Sequence, residues 1–219
     1  MVINDFLEDN FIFKGKRQKM VQLLANEGIT DRRVLLAMTV LPRHFFIDST
    51  YAEHAYSNKP LPIDKNQTIS QPYTVAFQTQ LLNVNPGDKI LEIGTGSGYQ
   101  AAILIKMGAK VFSIERHKVL FEKTKTLFKH LGLKAHLFYD DGFNGQPLFA
   151  PFDKILITAA APTIPNNLLQ QLKQGGILVA PITNNHLQTM TVFKKIDDTN
   201  FEIKKHGQFS FVPMLKGKE

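Results

Sequence analysis

The stretch Ile90-Leu91-Glu92-Ile93-Gly94-Thr95-Gly96-Ser97-Gly98-Tyr99 constrains this chain more than any other. An apolar run enters three alternating glycines, and a helical pattern follows from Ser97 to Met107. Glycine lets the backbone turn sharply out of a strand and approach a ligand with no side chain between them. A dinucleotide loop, G-x-G-x-x-G, would need glycine where Tyr99 stands, so that fingerprint fails. No G-x-x-x-x-G-K-[ST] segment occurs, which leaves a nucleoside triphosphatase without support. Alone, the glycines fit a ligand loop or a strand-to-helix turn that needs them for geometry.

The surrounding pattern decides what that loop belongs to. Tyr73 to Leu82 reads as a helix, Lys89 to Ile93 as a strand, Val111 to Ile114 as a strand and His117 to Leu131 as a helix. Strands at Ala135 to Phe138 and Lys154 to Thr158 follow, then a helix at Pro165 to Lys173 and a strand at Ile177 to Pro181. Short, nearly continuous apolar strands between helices predict a parallel sheet covered on both faces. Right-handed crossovers make it a doubly wound α/β sheet, with ligands at the carboxyl ends of the strands. Thr189 to Lys194 and Glu202 to Phe211 read as strands joined by a turn at Asp197-Asp198-Thr199-Asn200, an antiparallel C-terminal hairpin.

Upstream, Lys16 to Glu27 and a segment through Val34, Leu35 and Met38 read as helices. Gly28 stops the first, Thr30 is placed to cap the second, and Pro42 ends it. Residues 57–72 are rich in Pro, Asn, Asp and Ser without apolar period, a loop long enough to suggest function. The expected organisation is one domain over 1–219. It divides into a helical extension and loop at 1–72, an α/β core at 73–188 and terminal strands at 189–219.

A second signal accompanies the glycines. The strand Val111 to Ile114 ends in Glu115, 21 residues after Gly94. An acidic side chain at that strand tip can accept both ribose hydroxyl hydrogens of an adenosine ligand. Read alone, Glu115 is a carboxylate favoured by a helix N-terminus. Asp140-Asp141-Gly142 follows the third strand, where a carboxylate can meet an adenine amino group; read alone, it is a turn.

Composition narrows the chemistry. Cysteine is absent, which removes disulfides, thiolate zinc sites and cysteine nucleophiles, and no metal-ligand set is expected. Lys and Arg number 26 against 19 Asp and Glu, a net charge of +7 that suits an anionic partner or plain solubility. No basic block marks a nucleic-acid arm. Asp5, Glu8 and Asp9 precede any apolar run, unlike a secretory signal, and no apolar stretch approaches the roughly 20 residues that span a bilayer. A cytoplasmic protein without membrane partners is expected.

The E-x-G-x-G-x-G pattern at Glu92 to Gly98 resembles motif I of S-adenosylmethionine-dependent methyltransferases, whose ligand carries no phosphate. The stretch Ala55 to Ile63, followed by Gln67-Thr68-Ile69-Ser70-Gln71-Pro72, resembles the substrate loop of the protein-L-isoaspartate (D-aspartate) O-methyltransferase family. Leu41-Pro42-Arg43-His44-Phe45, Phe152-Asp153, Thr158 to Ala161, Leu172 to Gly176 and Phe211-Val212-Pro213 extend the likeness over nearly the whole chain.

That resemblance implies a methyltransferase-type, Rossmann-like sheet. It implies methyl transfer from S-adenosylmethionine to the α-carboxylate of L-isoaspartyl residues in damaged protein, releasing S-adenosylhomocysteine. Ser70 would be the catalytic residue, orienting the substrate carboxylate by one hydrogen bond. Gln67, Thr68 and Ile69 would line the cofactor or substrate with backbone groups and count among the cofactor-binding residues; Gly94, Thr95 and Gly96 would meet the methionine part of the cofactor. Glu115 would hold the ribose, Arg116 would lie beside the adenine, and Asp141 and Gly142 would meet its edge. Phe211, Val212 and Pro213 would wall the substrate cleft, or form a plain edge strand. Partners would be isoaspartyl peptides and proteins rather than nucleic acid, and a monomer is expected. A carboxylate nucleophile is already ionised near neutral pH, so no general base is required. Arg43 and His44 could face substrate or fix the N-terminal helix, and are left off the catalytic set.

Four positions depart from the family pattern. Asp64 and Asn66 stand where glycine is usual, Ser210 where many members carry a basic residue, and Asp140 where glycine is common. The rival reading is a nucleic-acid methyltransferase on the same fold. Base C5 chemistry would need the missing cysteine, and amino-group chemistry commonly uses N/D-P-P-Y/F where this chain has Thr158-Ala159-Ala160-Ala161-Pro162. A 2′-hydroxyl or ring-nitrogen enzyme stays open. A binding module without turnover would not need the Ser70 loop.

Overall fold

The computed structural model describes residues 8–185 and 187–219; Asp5 lies outside them. Helices α1 (Phe11–Asn26) and α2 (Arg32–Val40) open the chain. Arg17 secures α1: it pairs with both Asp9 oxygens at 2.8 Å and donates to the Thr39 carbonyl at 2.6 Å. Asp31, not Thr30, caps α2, accepting from the Arg33 amide at 2.9 Å. Thr30 is instead drawn to Gln80, 50 residues away, through its amide at 2.7 Å. Leu41 leaves the helix in an extended conformation, as a residue before proline must.

The 57–72 segment is ordered. It contains a small antiparallel ladder of β1 (Leu61–Pro62) and β2 (Thr68–Ile69). Its tip holds two left-handed residues, Lys65 at φ 61° and Asn66 at φ 55°. Asn66 thus does what glycine would, whereas the second left-handed position is Lys65 rather than Asp64.

Helix α3 (Pro72–Leu82) leads into the main sheet: β3 (Lys89–Ile93), α4 (Tyr99–Lys106), β4 (Lys110–Glu115), α5 (Lys118–His130) and β5 (His136–Tyr139). Then come β6 (Phe152–Ile157), α6 (Asn166–Gln170), β7 (Leu172–Asn184), β8 (Leu187–Lys195) and β9 (Phe201–Phe209). The order across the sheet is β5-β4-β3-β6-β7-β8-β9. Strands β3 to β7 run parallel, and β8 and β9 are antiparallel to their neighbours. The chain therefore moves outward from β3 to β5 and returns to β6 at β3's other edge. That reversal is where doubly wound sheets open a ligand crevice.

Alternate strand residues feed two cores. Ile90 and Val111 join the layer of α1 to α5, whereas Leu91, Ile93, Phe112 and Ile155 face α6 and Phe149. Each such side chain, fully buried, contributes about 1.5–3 kcal/mol. The helix expected over Pro165 to Lys173 is shorter than its sequence pattern suggests. Leu172 pairs with Phe152, so ladder hydrogen bonding claims the residues after Gln170, and the chain bulges through 173–176 before Ile177 resumes pairing. The last strand also stops two residues early: Phe211 turns aside and its carbonyl accepts from Gln188 Nε2 at 3.1 Å.

Candidate active site

At the carboxyl ends of β3, β4 and β6 the chain forms a cleft. The glycine loop is shaped by close contacts. Gly94, at φ +97°, leaves its Cα where an added Cβ would lie 2.5 Å from Thr158 Oγ1. Thr158 Oγ1 donates to the Gly94 carbonyl at 2.7 Å, tying the loop to the tip of β6. Gly98, at φ +85°, would drive a Cβ to 2.6 Å from Thr124 Cγ2. Larger residues are thus excluded at both positions by backbone strain and by space.

Glu115 closes the loop from β4. One of its oxygens accepts from the Gly96 amide at 2.7 Å and the other from the His117 amide at 2.9 Å. Each carboxylate oxygen keeps a further lone pair, enough for two hydroxyl donors. Behind the loop, Ser113 Oγ donates to buried Glu92 and lies 2.6 Å from Thr95 Oγ1. Burial, with the Glu115 charge adding and the Ser113 hydrogen bond opposing, pushes Glu92 up to about 8. A neutral acid therefore sits under a charged one.

Across the cleft stands the 67–70 segment. Arg43 is fully buried and donates to the Ala55 carbonyl at 2.8 Å and the Ser70 carbonyl at 2.7 Å, with its guanidinium 4.8 Å over the Tyr99 ring. It fixes the backbone on which Ser70 is carried. The Ser70 hydroxyl is not held by any described residue, and Ser70 lines the cleft. His44 is internal: Nδ1 lies 2.7 Å from the Tyr56 hydroxyl and the ring stacks on Phe13 at 4.0 Å. Neither side chain lines the cleft.

Gln67, Thr68, Ile69, Ser70, Gly94, Thr95, Gly96, Glu115, Arg116 and Gly142 all line this one cleft. Asp141 does not. Its oxygens accept from the amides of Phe143 at 2.9 Å and Gly217 at 2.8 Å, so it caps the turn that presents Gly142. Arg116 lines the cleft while donating to the Gly217 carbonyl at 3.0 Å and pairing with Glu219 at 3.1 Å. Val212 and Pro213 complete the wall, and Phe211 lies in a neighbouring trough.

Several cleft residues escaped the sequence reading: Gln78, Tyr99, Gln100, His117, Thr158 and Met214. Thr158 follows a strand end beside the switch point, a position that topology could have flagged. Gln78 Oε1 is buried with no hydrogen-bond partner among the described residues, and Gln78 lines the cleft. Buried polar atoms left unpaired next to a crevice point to a ligand that satisfies them. A cleft with a carboxylate at one end, this unpaired amide oxygen, no lysine among its described lining and an arginine already paired with Glu219 fits an uncharged nucleoside better than a phosphate. The chain thus has a fitting site for S-adenosylmethionine.

Among the described residues, no helix is long and apolar enough to cross a membrane. Comparison with known proteins agrees with the fold. The chain is 49% identical to protein-L-isoaspartate O-methyltransferase of Christiangramia forsetii, over 97% of this chain and 100% of that one. A solved protein-L-isoaspartate O-methyltransferase superposes with a TM-score of 0.83 at 27% identity, over 90% of this chain and 65% of that one. A Plasmodium falciparum structure in complex with S-adenosyl-L-homocysteine shares the fold, with a TM-score of 0.81 at 24% identity over 92% and 99% of the two chains. The family model described as protein-L-isoaspartate(D-aspartate) O-methyltransferase matches residues 15–219, and the chain belongs to that family.

Proposed function

We propose that this chain transfers a methyl group from S-adenosylmethionine to the α-carboxylate of L-isoaspartyl residues in damaged proteins, releasing S-adenosylhomocysteine. One observation carries the reading: Ser70, with Thr68, Thr158 and Val212, lines both the cleft and the open trough beside it. The cleft at the glycine loop and the open trough therefore meet at one hydroxyl.

When bound, S-adenosylmethionine supplies an electrophilic methyl group on a cationic sulfur. Gly94, Thr95 and Gly96 would hold its methionine part, Glu115 its ribose hydroxyls, and Arg116 and Gly142 its base, with Asp141 capping the turn behind. Gln67, Thr68 and Ile69 would close the cleft and exclude water. Ser70 donates a hydrogen bond to the incoming carboxylate and fixes which oxygen points into the cleft. The task is alignment, and well-oriented reactants can remove about 7–11 kcal/mol of barrier. No proton needs to be removed from the nucleophile. Methoxide leaves the ester far more readily than an oxide leaves the free carboxylate, so the neighbouring backbone nitrogen closes the succinimide and releases methanol without the enzyme, and hydrolysis of that ring opens a route to a normal aspartyl link.

The whole of 1–219 acts here as one unit: extension and substrate loop to 72, cofactor core over 73–188, terminal strands over 189–219. Isoaspartyl peptides and proteins are its partners, with the chain acting as a monomer in the cytoplasm. Methyl-labelled S-adenosylmethionine offered with an isoaspartyl peptide, its aspartyl twin and tRNA tests the reading. Base-labile label on the isoaspartyl peptide alone is expected. Label on tRNA, or equal label on the aspartyl twin, overturns it.

A further inference from the structure

The trough that shares Ser70 with the cleft has a wall the reaction does not use. It measures about 840 Å³ and runs between the start of α3 and the end of β9. Its floor is aromatic. Tyr73 and Phe77, one turn apart on α3, stack at 5.6 Å with 25° between ring planes. Phe209 at the end of β9 lies 5.2 Å from Phe77 and 6.3 Å from Tyr73, its plane nearly parallel to the latter's at 11°. Phe211 also lines the trough. All four rings are half-buried, so each leaves part of its surface open.

This arrangement is built by a local irregularity in the sheet. Gln208 pairs with Thr189 and Lys205 with Thr191, so His206 and Gly207 together oppose Met190. An extra residue of this kind bends a strand and re-aims the side chains beyond it. The bulge brings Phe209 onto α3, and His206 meets the edge of Phe77 at 6.1 Å. The second feature is electrical. The chain carries a net charge of +7, yet among the described residues none that is charged lines the trough, and Ser210 occupies its exposed rim.

We infer that this aromatic trough is a subsite for the side chain next to the isoaspartyl residue, selecting large apolar or aromatic neighbours and rejecting acidic ones. The inference rests on the proposed peptide methylation. An aromatic or branched side chain gains offset stacking and loses water against rings that already expose apolar surface. A flanking carboxylate would lose hydration there with no cation to meet it.

The test is a series of isoaspartyl peptides of one length, in which the residue on each side in turn is Phe, Leu, Ala or Glu. On the unmodified chain, kcat/KM on one side is expected to be about tenfold or more higher with Phe than with Ala, and lowest with Glu. In Phe77→Ala the Phe-to-Ala ratio should fall to near one; being a ratio within one preparation, it is insensitive to partial loss of folded protein. Ser210→Lys, on the exposed rim, should raise the Glu-flanked peptide relative to the Ala-flanked one. Equal kcat/KM across the series on the unmodified chain, or a ratio retained in Phe77→Ala, overturns the inference while leaving methylation intact. Methylation of no isoaspartyl peptide would overturn the underlying function and this inference with it.

Discussion

The roles proposed for Ser70 and Glu115 lie on opposite sides of the site, and their substitutions should separate. Ser70→Ala removes one donor to a charged oxygen, a loss of about 1.5–3 kcal/mol. Turnover on an isoaspartyl peptide is expected to fall about 10–100-fold, while calorimetry shows S-adenosylhomocysteine affinity essentially unchanged. Unchanged turnover would remove Ser70 from the reaction. Glu115→Ala acts on the opposite side: it deletes the proposed ribose acceptor and frees the Gly96 amide that it holds at 2.7 Å. S-adenosylhomocysteine affinity should weaken about 10–100-fold, on the same scale of charged hydrogen bonds. Undiminished affinity would contradict the ribose assignment.

The elements explain why some features are readable in the chain and others are not. The β3 to α4 passage is local, since apolar strand, glycines and helix lie within one short run, and β3 occupies the expected Lys89–Ile93. Cap assignment at α2 failed because Gln80, distant in sequence, recruits Thr30 and leaves Asp31 to the helix. The boundary of α6 and β7 failed because pairing with Phe152 outweighs helical periodicity. Ten of the eleven proposed cleft residues converge, yet Asp141 faces the tail, whose Gly217 amide lies 76 positions on. Arg43 shows the same limit from the other side: only the folded chain reveals that it ties Ala55 to Ser70. Buried without a carboxylate, its guanidinium is pulled down to about 10 by desolvation. Arg43→Lys cannot reach two carbonyls in the same forked geometry. A fall in kcat of about tenfold, roughly one charged hydrogen bond, with cofactor affinity preserved, is expected. If kcat is unaltered, the strap does not position the loop.

For the molecule as a whole, the buried Glu92 links the site to stability. Its ordinary value is 4.5, and in the folded chain burial raises it to about 8. Between those values the native state keeps a proton that the unfolded chain releases, so unfolding free energy falls as pH rises from about 4.5 to about 8. The contribution is complete below the lower value and lost above the upper one. Glu92→Gln cannot ionise and should flatten that dependence in urea titrations across the window; an unchanged slope would deny that Glu92 is held protonated. The same core acid lies beneath Thr95 through Ser113, so the loop proposed to receive the cofactor rests on an uncharged support near neutral pH.

The central claim is geometric: one cleft aligns a sulfur-borne methyl group with a carboxylate oxygen oriented by Ser70. A crystal structure with S-adenosylhomocysteine and an isoaspartyl peptide measures this directly. The ribose hydroxyls should lie on Glu115, and the thioether sulfur should face a peptide carboxylate oxygen that is hydrogen-bonded to Ser70. A sulfur turned away from Ser70, or a ribose without contact to Glu115, would contradict the account.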